Sequence, residues 1–142
     1  MTRVEFYSNA DSRLQVACQL VAKAFQQRLH VVIYAPDESA ARGIDKQLWT
    51  FQATGFIPHC MAHHAIAPET PVVISGENAE MPHYQVMLNL HAESPPMFSR
   101  FERLIEVVGC DEDDRQLARA RYRHYRDRGY EILHQDLAKS GL

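Results

Sequence analysis

The stretch Leu29-His-Val-Val-Ile-Tyr-Ala35 decides the fold of this chain of 142 residues. It is apolar apart from its histidine, and Pro36 follows it directly. An apolar run of this length without alternation is typical of a strand that is buried on both faces. Such strands occur in parallel sheets that carry helices on each side, so the stretch predicts an α/β protein.

Helices are predicted on both sides of this strand along the chain. From about Asp11 to Arg28, apolar residues recur at intervals of three and four, which predicts an amphipathic helix capped by Asp11 or Asn9. A second helix is predicted to open at Pro36-Asp-Glu and to run to about Trp49. The chain begins with an alternating segment rich in β-formers, from Arg3 to Ser8, which predicts the first strand.

The remainder of the chain continues this alternation. Further strands are predicted over residues 71–75, 84–90 and 104–108, with a short helix from Ser94 to about Arg100. A long arginine-rich helix and a short segment from Tyr130 to Leu133 complete the pattern, whereas residues 50–71 show no clear period. We therefore predict a single domain over residues 1–142, with a mainly parallel central sheet flanked by helices.

The composition is that of an ordinary globular protein, with 46% hydrophobic and 23% charged residues and a formal net charge of −3. No apolar stretch reaches membrane-spanning length, and the first residues do not form a signal peptide. The three cysteines are odd in number and widely spaced, which favours a reducing compartment over a disulfide framework. We therefore expect a cytoplasmic protein, and the mild acidity argues against a generally basic nucleic-acid binder.

The arginine-rich helix carries a local positive charge. Six of the fifteen cationic residues fall between Arg115 and Arg128, after an acidic segment over residues 111–114 that suits a helix start, and before Gly129, which suits a helix stop. At 100° per residue, one face of this helix holds Arg115, Arg119, Tyr122, Arg123 and Arg126. Since arginine recognises carboxylates and phosphates through two parallel hydrogen bonds, this face indicates an anionic ligand. A merely solvated face is the alternative.

A nucleotide cofactor is not expected, although α/β sheets often bind one. The six glycines are scattered, and the chain contains neither G-x-G-x-x-G nor G-x-x-x-x-G-K-[ST]. The turn after the first strand, residues 8–11, therefore has no glycine-rich loop to hold a pyrophosphate. We predict that the chain has no cofactor and no catalytic residues.

A cluster of cysteine and histidine offers a competing interpretation. His59, Cys60, His63 and His64 lie within six residues and have the side chains of a metal site or a Cys/His catalytic pair. No second Cys/His pair completes a zinc site, and no nucleophile motif accompanies the cluster. We therefore expect no metal there. An α/β enzyme with a site in this loop, and a direct single-stranded nucleic-acid binder that uses the arginine helix, remain as alternatives.

An aromatic patch is the second candidate surface. Trp49, the only tryptophan, ends the second predicted helix, and Phe51 and Phe56 follow in the loop. Aromatic side chains at helix ends and in loops are often exposed and are enriched at interface hot spots. The alternative is a small hydrophobic cluster that holds the loop in place.

Two motifs together resemble the chi subunit family of the bacterial DNA polymerase III holoenzyme. They are Leu48-Trp49-x6-Phe56-Ile57-Pro58-His59 and Gln116-Leu-Ala-Arg119-x-Arg121-Tyr122-x-x-Tyr125-Arg126-x-x-Gly129-Tyr130. The opening strand with Phe6-Tyr7 and the segment Pro71-Val-Val-Ile are similar to that family too. The likeness runs from about residue 3 to residue 130, and residues 59–70, 76–83 and those beyond Ile132 follow no family pattern.

The resemblance implies a non-catalytic accessory subunit of the clamp-loader complex, with a nucleotide-binding-like fold that binds no nucleotide. Members of the family pair with the psi subunit and bind the acidic C-terminal tail of the single-stranded-DNA-binding protein. They meet DNA only indirectly, and a helicase of the XPD type competes for the psi surface where an organism has one. Carried over by motif, the psi surface would comprise Trp49, Phe56 and Pro58. The tail site would comprise Arg115, Arg119, Tyr122 and Arg123.

Overall fold

A computed structural model describes residues 1–50, 57–76 and 81–140. Its strands are β1 (Arg3–Ala10), β2 (Val31–Tyr34), β3 (His59–Met61), β4 (Val72–Ser75), β5 (Val86–Asn89), β6 (Arg103–Gly109) and β7 (Glu131–Asp136). Its α-helices are α1 (Arg13–Gln26), α2 (Glu38–Thr50) and α3 (Glu112–Asp127). Two single turns of 3-10 helix cover Ala67–Glu69 and Phe98–Arg100.

The strands form one sheet in the order β3-β4-β2-β5-β6-β1-β7, and each neighbouring pair is parallel. Strand β2 lies inside the sheet, pairs with β4 and β5, and is buried along its whole length. This explains its unbroken apolar sequence and confirms the predicted α/β fold with a mainly parallel sheet.

None of the helices in the described residues is both long enough and apolar enough to cross a membrane.

Helices cover both faces of the sheet. Val31 and Ile33 of β2 belong to the hydrophobic core that packs against α1 and α2, and this core includes Ile44 and Leu48. Val32 and Tyr34, which point the other way, belong to a second core with Ala118 and Tyr125 of α3. Alternate residues of one strand therefore support helices on opposite faces, as the side-chain period of a strand requires.

Three local predictions differ from the structure. The cap of α1 is Ser12, whose hydroxyl accepts the Gln15 amide at 3.3 Å, and neither Asp11 nor Asn9 has this role. Residues 50–71 contain the short edge strand β3, which has only three residues and therefore shows no recognisable period. The short helix predicted from residue 94 is only a 3-10 turn over Phe98–Arg100, preceded by the proline pair.

The predicted ends of α3 are confirmed. The Asp111 carboxylate caps the helix by accepting the Asp114 amide at 2.9 Å. Gly129 follows the last turn with φ of 80°, a left-handed conformation that costs glycine nothing. Acidic residues occupy the first turn and Arg126 lies in the last turn, so the charges at both ends interact favourably with the helix dipole.

A buried ion pair joins α3 to the sheet. The carboxylate of Glu106, in β6, is inaccessible to solvent and accepts Arg121 Nε at 3.0 Å and the Tyr125 hydroxyl at 2.5 Å. The Asn89 amide donates to both of its oxygens, at 3.2 and 3.1 Å, and Arg121 Nη1 also donates to the Ala92 carbonyl at 2.8 Å. Burial raises the pKa of the Glu106 carboxyl, and the charge of Arg121 is the largest opposing influence. Arg121 thus serves the core and adds nothing to the surface charge of the arginine run.

We expect Glu106→Ala to destabilise the fold by about 3–5 kcal/mol, because it leaves the Arg121 guanidinium buried without its partner. The melting temperature should fall by roughly ten degrees or more in a thermal melt. The exposed Glu102 is the matched control, and Glu102→Ala should change stability by about 0.5 kcal/mol or less. Equal melting temperatures for Glu106→Ala and wild type would show that the packing of α3 does not depend on this pair.

Candidate functional site

An open pocket of about 430 Å³ lies between α3 and the carboxyl ends of β1 and β7. Its lining comprises Phe6, Ser8, Asn9, Val108, Arg115, Ala118, Arg119, Tyr122, His134 and Asp136. Three of the four residues predicted for the anion site are among them. Arg123, the fourth, is exposed on α3 and does not line the pocket.

The floor of the pocket is apolar. Phe6 and Tyr122 lie with ring centroids 5.5 Å apart and interplanar angle of 58°, and Val108 and Ala118 complete the surface. Phe6, Val108 and Ala118 are buried, whereas 39% of Tyr122 is exposed to solvent. The pocket can therefore receive an apolar side chain beside its arginines.

Arg115 is fixed by a relay of side-chain hydrogen bonds. Its Nη2 donates to Asn9 Oδ1 at 2.8 Å, and Asn9 Nδ2 donates to Asp136 Oδ1 at 2.7 Å. Asn9 has φ of 59°, a left-handed conformation that asparagine tolerates better than most residues. The hydrogen bond from Asn9, and next that from the Ala138 amide, hold the pKa of the Asp136 carboxyl below its ordinary value.

Arg119 also has a partner within the chain. Its Nη1 lies 3.1 Å from Glu112 Oε1, and both side chains are largely exposed. An exposed ion pair of this kind contributes little to stability, so an incoming carboxylate can replace Glu112 at small cost. At the same surface, Ser8 Oγ and His134 Nε2 are 2.7 Å apart.

The part of this pocket that the two strands supply could not be recognised in the sequence. Two of these residues, Phe6 and Asn9, belong to β1. More than a hundred residues later, β7 supplies His134 and Asp136, and the parallel pairing of β1 with β7 brings the two groups together. The register places Phe6 beside His134 and Ser8 beside Asp136. The single available signal was the alternation in β1, which assigns Phe6 and Ser8 to one face.

The aromatic patch lies near the opposite edge of the sheet. Trp49, at the end of α2, is 57% exposed, and its ring lies edge-on to the His59 ring with centroids 4.9 Å apart. His59 is fixed by Asp45 Oδ1, 3.1 Å from its Nε2, and by the Ile57 carbonyl, 2.7 Å from its Nδ1. Pro58 is half-buried beside them, and the predicted Phe56 lies outside the described residues.

The histidine cluster does not come together as a metal site. Cys60 is half-buried in β3, whereas His63 and His64 are exposed in the turn that follows. Within residues 1–50, 57–76 and 81–140, no group of three or more His, Cys, Asp or Glu side chains is placed to hold a metal ion.

The profile of the family described as DNA polymerase III chi subunit, HolC, matches residues 1–133. The chain belongs to the chi subunit family of DNA polymerase III. This membership confirms the resemblance found in the two sequence motifs, and it makes the chain an accessory subunit in DNA replication. His134 and Asp136 lie beyond the segment that the profile matches.

Chi subunits of three bacteria illustrate the relationship. The subunit of Pseudomonas aeruginosa is 36% identical over 136 residues, which cover 93% of this chain and 94% of that protein. The Haemophilus influenzae subunit is 29% identical over 119 residues, covering 83% of both chains. The Escherichia coli subunit is 26% identical over 119 residues, covering 83% of this chain and 81% of its own.

Two solved structures of similar shape come from a different class of protein. The C-terminal domain of the DEAD-box protein Dbp5 matches this chi-family chain with a TM-score of 0.63 at 11% identity, covering 97% of this chain and 91% of that one. A variant Saccharomyces cerevisiae Dbp5 C-terminal domain, bound to Gle1 and IP6, gives 0.61 at 10% identity, with coverages of 96% and 90%. At such identity the likeness concerns the fold alone.

Two neighbouring residues of α2 should respond very differently to truncation. Trp49→Ala should cost about 1 kcal/mol or less, because the ring is largely exposed. Leu48→Ala should cost about 2–5 kcal/mol, since Leu48 is only 2% exposed and its loss leaves a cavity in the core. Denaturant unfolding of both variants measures the difference, and a loss at Trp49 as large as that at Leu48 would make Trp49 a core residue.

Proposed function

We propose that this chi-family chain is a non-catalytic accessory subunit that connects the psi subunit to the acidic C-terminal tail of the single-stranded-DNA-binding protein. The observation that carries the proposal is the pocket at α3, where Arg115 and Arg119 stand beside an apolar floor. That combination suits a peptide that ends in a free carboxylate and an apolar side chain. The family resemblance supplies the identity of the tail.

The chemistry of the pocket favours a carboxylate held by Arg119 and an apolar side chain against Phe6 and Tyr122. A charge-assisted hydrogen bond to a carboxylate is roughly twice as strong as a neutral one, and two parallel bonds add directional selectivity. Upstream acidic residues of the peptide would meet the positive potential of Arg123 and Arg126 on the exposed side of α3. The site is small and the whole chain acidic, which argues against strong direct binding of DNA.

The patch at Trp49 is the proposed surface for psi, together with Pro58 and Phe56. An exposed tryptophan held against a fixed histidine has the character of an interface anchor, because little side-chain entropy remains to be lost on binding. Trp49 lies beside β3, at one edge of the sheet, whereas the pocket adjoins β7 at the other. Six strand spacings separate these edges, roughly 30 Å, so two partners can bind together.

Replacing Arg119 should weaken binding of an acidic tail peptide. Arg119→Ala removes one charge-assisted contact to a carboxylate and should cost about 1.5–3 kcal/mol, which is roughly 10- to 150-fold in affinity. Fluorescence anisotropy with a labelled peptide measures this. Arg42→Ala on α2 is the matched control, because Arg42 is exposed and, among the residues that the structure describes, its ion pair is with Glu38 one turn earlier. Arg13 also lies outside the pocket lining, but it would be a poor control. Its guanidinium donates hydrogen bonds to the Val107 and Leu90 carbonyls, so its replacement would affect the fold as well.

An unchanged affinity in Arg119→Ala would exclude this pocket as the tail site. The same titration with a single-stranded oligonucleotide tests the alternative hypothesis, which is that the arginine helix binds nucleic acid directly. Binding of the peptide should also fall with added salt, because exposed charges are screened over about 10 Å at 0.1 M ionic strength.

Trp49→Ala should stop the chain from retaining the psi subunit while leaving its affinity for the acidic peptide unchanged. Truncation of an interface anchor costs about 2 kcal/mol or more, and distant sites without shared partners rarely couple. Two pull-downs from one preparation measure both partners. Loss of both from a well-folded variant would mean one shared surface.

A further inference from the structure

We propose that Asp136 and Asn9 determine the selectivity of the pocket: Asp136 limits how much negative charge the pocket accepts, and Asn9 keeps Arg115 from being neutralised by Asp136. The inference rests on the proposed function, since it concerns the acidic peptide that the pocket would bind. It assigns a role to residues on the β1 and β7 side of the pocket, opposite the arginine helix.

Asp136 is a fixed anion in a pocket whose arginines attract anions. Its Oδ1 accepts Asn9 Nδ2 at 2.7 Å and the Ala138 amide at 2.9 Å, so the carboxylate is held in place from two sides. It lines the same pocket as Arg115 and Arg119. A bound carboxylate that displaces Glu112 from Arg119 is therefore attracted by two arginines and repelled by Asp136. Each further negative charge in the pocket meets the same repulsion.

Asn9 separates Arg115 from this aspartate. Its carbonyl oxygen accepts from Arg115 at 2.8 Å, and its amide nitrogen donates to Asp136, so a neutral group occupies the space where a direct ion pair would form. Its backbone, with φ of 59°, ends the regular part of β1 and aims the side chain into the pocket. Without the amide, Arg115 and Asp136 can pair directly, and the pocket loses one of its two cations.

The expected consequence is a preference for a single carboxylate over a densely charged ligand. Selectivity of this kind requires a repulsive element as well as attractive ones, and Asp136 supplies the repulsion. Asp136 lies three residues beyond residue 133, where the family profile ends.

A double-mutant cycle tests the proposal. The probe is a labelled synthetic peptide of several aspartates followed by a C-terminal phenylalanine with a free carboxylate. Its affinity is measured for wild type, Asp136→Asn, Asn9→Gly and the double variant. Asparagine at 136 keeps one accepting oxygen and removes the charge, although an amide NH2 replaces the second oxygen. Glycine at 9 tolerates the positive φ. Asp37→Asn is the control for net charge, because Asp37 contacts His91 and does not line the pocket.

We expect Asp136→Asn to bind the peptide about threefold to tenfold more tightly, the effect of one unit charge at close range in a solvated site. Asn9→Gly should weaken binding by a similar factor, but only while Asp136 is charged, so the double variant should match Asp136→Asn. The gain should shrink as the salt concentration rises. Asp37→Asn should bind like wild type.

Unchanged or weaker binding by Asp136→Asn, with wild type still binding, would overturn the inference and leave the proposed function standing. If Asn9→Gly changed the peptide affinity equally in wild type and in the Asp136→Asn variant, the role of Asn9 would be overturned. Failure of every variant, including wild type, to bind the peptide would instead remove the proposed function and this inference with it. Tighter binding cannot result from unfolding, so the Asp136→Asn measurement decides the main point even if Asn9→Gly folds poorly.

Discussion

The salt bridge between Glu106 and Arg121 is the constraint on which the arrangement of α3 depends. A charged pair at this depth contributes little net stability, because removing both groups from water costs nearly what their attraction returns. It is costly, however, to bury either group alone, so α3 packs well only in the rotation that brings Arg121 to Glu106. That rotation turns Ala118 and Tyr125 inward and leaves Arg115 and Arg119 on the side of the pocket. The orientation of the candidate site is thus decided by a pair that cannot touch any ligand.

The fold could be predicted from sequence because its main signals are local. The uninterrupted apolar run in β2 and the three- and four-residue periodicity of α1 depend only on which side is buried. The arginine run was harder, since helical periodicity alone cannot tell an arginine that serves a buried carboxylate from one that faces solvent. Arg121 was counted among the six cations of the run, although the predicted anion-binding face did not include it. Strand β3 escaped prediction because three half-buried residues at a sheet edge carry no period.

The candidate site could be predicted only in its helical half. Arg115, Arg119 and Tyr122 follow one another at helical spacing, so their common face is visible in the sequence. Asn9 and Asp136 are separated by 127 positions and meet only through strand pairing, which no local pattern encodes. The similarity to Dbp5 domains also shows that the fold alone does not identify the binding residues. A shared sheet and shared helices describe the scaffold, whereas the side chains at one edge of it decide what can bind.

The sheet order also has a consequence for the growing polypeptide. Strand β1 is made early, yet both of its neighbours, β6 and β7, are made late: Arg3 pairs with Arg103 on one side and Glu131 on the other. At about 5–20 residues per second, the ribosome needs roughly 5–20 seconds to synthesise the intervening hundred residues. During that interval the apolar side chains of β1, such as Val4 and Phe6, have no strand beside them, while β2, β4 and β5 can already assemble. The nascent chain therefore exposes a strand ready to pair with other chains, and it is in this window that a chaperone would have the most to protect.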